Sequence, residues 1–221
     1  MSCNNVEKSK RLSITFDILV KITNLLKKGV FSPYTDKMML SVCQMAFFAF
    51  LRCGEFTVRN KTCSNDCIFF KGLIISTDHS SYTLKLAKSK TDPFRLGVEI
   101  PVYNVPPLYP VTSMIQYTQI RSVLFPISDA PLFLDFNGEI LSREKFIEML
   151  RHLLQILNLN EQKYCGHSFR IGAATSAASA GVQDHLIQTM GRWSSNCYTR
   201  YIRTSGKEVK NMQEKIGNNF K

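Results

Sequence analysis

The hydrophobic period changes twice along this chain, and that double change limits the folds open to it. Over residues 13–28, Ile14, Ile18, Leu19, Ile22, Leu25 and Leu26 recur at helical spacing, and Gly29 supplies a stop. A second helical stretch starts at Thr35 and Asp36 and runs through Met39, Val42 and Phe47 to about Leu51. Three short β-rich runs then follow, at 68–75, 82–87 and 98–102, separated by polar turns. After a proline-rich connection at 105–110 the helical period returns over 114–124. It continues in a helix capped by Ser142 that carries Phe146, Ile147, Leu150, Leu153, Leu154 and Leu157. Further helices are predicted over 168–180, ended by Gly181; over 184–190, ended by Gly191; and over 194–203. The pattern predicts an α+β fold, mainly α-helical, with a small three-stranded antiparallel sheet. Residues 1–11 read as a loose polar N-terminus and 12–221 as one domain, without repeats or low-complexity tracts.

Charge points to a polyanionic partner. Twenty-eight Lys and Arg against seventeen Asp and Glu leave the 221-residue chain at +11, which favours nucleic acid and predicts salt-sensitive binding. The seven cysteines lack framework spacing, as in a reducing compartment. Cys63 and Cys67 are four apart, but no second Cys/His pair completes a zinc site. The longest apolar stretch, 45–51, is far too short to cross a bilayer, and no secretory or transit segment opens the chain. A soluble, intracellular protein is expected.

The segment 165–203 carries the densest chemistry. His167 and Arg170 are three apart at the start of a helix, so they share a face. Free N–H groups and the dipole favour anions there, and a guanidinium fork with an imidazole makes a phosphate clamp. The plain alternative is a capping histidine and a surface arginine. Gly191-Arg192-Trp193 follows, with Tyr201 eight residues after the tryptophan in an Arg- and Tyr-rich stretch. A tyrosine hydroxyl needs neighbouring cations to become a nucleophile. Trp193, the chain's single tryptophan, can be a core anchor or an indole N–H donor. Upstream, Arg52 and Glu55 follow an apolar helix, where a helix-end ion pair is the simplest reading. Lys88 and Lys90 sit in the turn between the second and third strands, a place where a lysine is normally solvated.

Together these pieces resemble the tyrosine recombinase (phage integrase-type) catalytic domain. The resemblance spans about residues 12–205 and is nearest to recombinases of DIRS, Ngaro and Crypton mobile elements. It rests on AFLRCGEFTV at 49–58, SKTDPFRLGVEI at 89–100, and GHSFRIGAAT at 166–175 with its GRW and YIRT sequels. The family order of Arg, hairpin Lys, H-x-x-R, His or Trp, and Tyr falls on Arg52, Lys90, His167, Arg170, Trp193 and Tyr201. Lys90 fits the SKTDPF stretch better than Lys88. Tyr201 fits the nucleophile segment better than Tyr198. Glu55 takes the place of a residue that orients a catalytic side chain.

The resemblance implies a site-specific recombinase or integrase that cuts and rejoins double-stranded DNA through a 3′-phosphotyrosine intermediate, for mobile-element integration. It implies no metal or other cofactor, further protomers in a synaptic complex, and work in the nucleus. The alternative is a catalytically silent, element-derived module that binds DNA or protein. Family members carry an N-terminal core-binding domain, which is not apparent in these 221 residues.

Overall fold

Helix α2 (Pro33–Phe48) is apolar on almost every side, and the helices around it cover that surface. In this computed structural model, which describes residues 11–59, 67–86, 97–195, 199 and 214, α2 packs against α1 (Phe16–Lys28), α3 (Pro110–Leu124) and α5 (Ser168–Ser179). Its start lies earlier than the sequence pattern predicts. Ser32 is the cap and accepts the Thr35 N–H at 3.2 Å, while Pro33 takes the first helical position, where no N–H is needed. Asp36, the expected start, is instead buried inside the first turn. Its carboxylate accepts the N–H groups of Val30 and Phe31, which fixes the α1–α2 corner.

The sheet is an antiparallel meander of β1 (Leu73–Ile75), β2 (Ser81–Leu86) and β3 (Val98–Tyr103). Leu84 pairs with Leu73 on one side and Ile100 on the other. Alternation along β2 sends Tyr82, Leu84 and Leu86 into the core. The first predicted strand is shorter than its apolar run. Residues 68–72 spend their backbone bonds elsewhere: Ile68 N–H donates to the Glu55 carbonyl, Ile68 O accepts from Leu132, and Phe70–Gly72 forms a 3₁₀ turn.

Helix α3 begins earlier than predicted because Asn104, seven residues upstream, accepts the Val111 N–H at 3.0 Å. Helix α4 (Arg143–Ile156) starts as expected, with Ser142 accepting the Lys145 N–H at 3.1 Å. Helix α6 (Asp184–Gly191) contains the glycine predicted to stop it; the left-handed cap is Arg192, at φ 52°. Helix α5 lies hard against the N-terminal segment. A Cβ at Gly172 would fall 1.6 Å from the Ile14 carbonyl oxygen, so only glycine allows this approach. The same segment is laced to α5 by Ile14 N–H on the Ser168 carbonyl and by the Ser168 hydroxyl on the Leu12 carbonyl.

Of the stretch expected to be loose, residues 1–10 lie outside the described residues, while Arg11 donates to the Gln162 carbonyl at 3.0 Å. Most of the predicted 194–203 helix also lies outside them. No helix among the described residues is long and apolar enough to cross a membrane.

Candidate functional site

The chain turns sharply where α2 ends. Phe50 takes a left-handed conformation at φ 51°, Arg52 is extended, and Cys53–Glu55 forms a 3₁₀ turn. That turn brings Glu55 back onto Arg52. The Glu55 carboxylate, 6% exposed, accepts the Arg52 N–H at 2.8 Å and Arg52 Nη1 at 3.0 Å. The helix-end ion pair expected from sequence is therefore present, and it is largely enclosed rather than free on the surface: the Arg52 side chain keeps 22% of its area exposed and that of Glu55 8%.

A third group completes this cluster, and the sequence reading passed over it. Arg192 Nη2 lies 2.9 Å from the second oxygen of Glu55, and its guanidinium also donates to the carbonyls of Ala49 and Phe50. Burial lowers the pKa of this guanidinium, Glu55 raises it again, and the charge of Arg52 lowers it. The signal available was Gly191-Arg192 at the end of a helix, which reads as a plain stop. A left-handed arginine there turns its side chain back toward α2 instead.

Arg170 is 3% exposed, and it donates through Nη1 to the Phe50 carbonyl and through Nη2 to the Gly191 carbonyl. Its guanidinium lies 4.3 Å from the centre of the Trp193 ring, which in turn meets Phe50 edge-on at 6.2 Å. Trp193 is 9% exposed. Two of the five donors of Arg170 are committed to carbonyls in the interior.

His167 sits at the cap of α5 and is exposed. Gly166, just before it, is pressed against Cys53; a Cβ there would lie 2.7 Å from the Cys53 Sγ. His167 therefore stands beside the Arg52–Glu55 turn. Loss of solvent around the ring, then the charges of Arg143, Arg170, Arg52 and Arg59, hold its pKa below the ordinary histidine value. Arg59 and Arg143 are two further cations of this region absent from the sequence reading. Lys90 and its alternative Lys88, and Tyr201 and its alternative Tyr198, lie outside the described residues. Cys63 does too; Cys67 is buried, with its Sγ 3.3 Å from the Thr57 carbonyl oxygen.

Arg52, Glu55, His167, Arg170 and Trp193, from segments up to 141 residues apart (52 to 193), are thus gathered around the Phe50 carbonyl and the Glu55 carboxylate. The cluster is basic: its acid is buried, and its outer members are His167, Arg59 and, in part, Arg52 and Arg143. Such a surface suits an anion with several oxygens.

No protein-family model matches the chain, and no curated protein matches it. Solved structures do. XerH site-specific recombinase bound to its palindromic difH substrate, in a post-cleavage complex, superposes with a TM-score of 0.68 at 16% identity. That match covers 96% of this chain and 55% of the XerH chain. XerA recombinase gives 0.67 at 13% identity, covering 97% of this chain and 66% of that one. Tn1549 transposon integrase in complex with transposon right end DNA gives 0.61 at 14%, covering 96% and 68%. The chain thus spans roughly half to two-thirds of the recombinases it matches. Six helices among the described residues with a three-stranded antiparallel meander are the fold of the tyrosine recombinase catalytic domain.

Proposed function

We propose that the chain is the catalytic unit, over residues 12–221, of a DNA recombinase or integrase that works through a tyrosine nucleophile. The observation that carries this reading is the gathering of Arg52, His167 and Arg170 around one turn, on a fold shared with DNA-bound recombinases. Tyr201 attacks a backbone phosphorus, forming a 3′-phosphotyrosine bond as the bond to the 5′-oxygen breaks. Lys90 gives a proton to the departing 5′-oxygen, and the reverse attack by a partner 5′-hydroxyl restores the phosphodiester. Charge that builds on the phosphate oxygens is met by Arg52 and His167 at the surface, with Arg170 behind them and Trp193 as the indole donor. Glu55 holds Arg52 in place. The three stretches at 49–58, 89–100 and 166–175 favour a mobile-element origin, and double-stranded DNA, further protomers in a synapse and the nucleus are the matching partners and location.

The test is a suicide duplex nicked next to the cleavage position. A covalent adduct that is lost in Tyr201→Phe supports the reading; no adduct, or an equal one with Tyr201→Phe, overturns it.

One observation favours a second reading. The inward commitment of Arg170 to the Phe50 and Gly191 carbonyls suits a chain that keeps the fold and binds DNA without cutting it. Retained duplex binding with no adduct selects this silent module.

A further inference from the structure

Two arginines that the catalytic reading does not use stand next to its surface members. Val58 and Ser142 form a parallel bridge, with Val58 N–H on the Leu141 carbonyl at 3.2 Å and Arg143 N–H on the Val58 carbonyl at 2.8 Å. Arg59 and Arg143 are the residues that leave this bridge, so the two cations emerge side by side from segments 84 positions apart (59 to 143). The His167 loop rests on the same helix. The position of a Cβ on Gly166 lies 2.5 Å from the Cys53 Cβ and 3.8 Å from Ile147 Cδ1, and Ile147 is one turn after Arg143 on the same face of α4. Burial separates these arginines from the others nearby. Arg170 and Arg192 are enclosed and donate to backbone carbonyls, whereas Arg59 is exposed and Arg143 half-exposed. Their charges also reach His167, with Arg143 the strongest of the four that do.

We propose that Arg59 and Arg143 form a second phosphate-binding site, which takes a backbone phosphate of the DNA strand next to the one met by Arg52 and His167. This deepens the recombinase reading and rests on it for the identity of the polyanion. The pair positions the duplex and carries no base readout, since it offers charge and forked donors to a phosphate. Glu144, the residue after Arg143, is exposed and opposes the site, so its removal strengthens it.

The test is duplex binding over a salt series, read by fluorescence anisotropy, for the full chain and its variants. Each phosphate neutralised adds about 0.9 to the slope of log K against log salt. Arg59→Ala and Arg143→Ala are each expected to flatten the slope, and the double variant to flatten it by about 0.9 in all, the share of one phosphate. The loss is the same on unrelated duplexes. Arg59→Lys and Arg143→Lys keep the wild-type slope, and Glu144→Gln tightens binding. Slopes unchanged in both alanine variants, with the fold intact by circular dichroism, overturn the site. Should an alanine variant fail to fold, Arg59→Gln and Arg143→Gln carry the same expectation. Flattened slopes with no wild-type adduct on the suicide duplex keep the site and overturn catalysis. Adduct formation with unchanged slopes does the reverse, and a wild-type chain with no salt-dependent binding overturns both.

Discussion

Arg192 Nη2 lies 2.9 Å from a Glu55 oxygen, and both side chains are 8% exposed. With Arg52 on the other oxygen at 3.0 Å, one buried carboxylate balances two guanidiniums and joins the end of α6 to the end of α2.

Removing that carboxylate strands buried positive charge. Glu55→Ala is expected to lower the unfolding free energy by about 3 kcal/mol, the usual loss when one member of a buried pair is deleted. Arg192→Ala falls in the same range, because Glu55 and the carbonyls of Ala49 and Phe50 lose a donor. Chemical denaturation midpoints of the two variants check both.

Gly191 admits nothing larger. A Cβ there would lie 1.7 Å from the Trp193 ring, so Gly191→Ala must push the indole away from Arg170. Overpacking of this kind costs about 1–3 kcal/mol. Because Trp193 is the chain's single tryptophan, its fluorescence reports the displacement directly. An emission spectrum identical to wild type in Gly191→Ala and in Arg170→Ala contradicts the stacked arrangement.

His167 gives the pH dependence a sign. Its folded pKa lies below the unfolded value of about 6.5, so the folded state takes up that proton less readily. The contribution to stability is whole above that value and declines as pH falls through the window beneath it. His167→Gln removes this part of the acid slope, seen in denaturation midpoints recorded as a function of pH. A bound phosphate brings negative charge to the ring and raises its pKa, which proton NMR with and without duplex DNA measures.

Gly172 tests the seam between α5 and the N-terminal segment. Alanine there would meet the Ile14 carbonyl oxygen at 1.6 Å, backbone against side chain, with nothing flexible to yield. Gly172→Ala is expected to part Ile14 from Ser168 and to lower stability by more than the same change at Gly54, where an added Cβ meets nothing.

Periodicity was enough to place α1, α4 and β2, because each shows one apolar face at its own spacing. It failed where distant groups decide. The start of α3 depends on Asn104 reaching past a proline-rich link, and the short β1 reflects bonds that Ile68 makes to Glu55 and Leu132. Arg52, His167 and Arg170 were legible as a set through their motif context. The inward course of Arg170 was not, since its acceptors are carbonyls 120 and 21 positions away. Arg192 was missed for a related reason: a glycine–arginine pair at a helix end signals termination, and only the fold reveals what the arginine meets. Arg59 and Arg143 become neighbours solely through the Val58–Ser142 bridge.

The Phe50 carbonyl oxygen receives both Arg170, from α5, and Arg192, from the end of α6. One atom at the head of the Arg52 turn is thereby a common pivot for three segments.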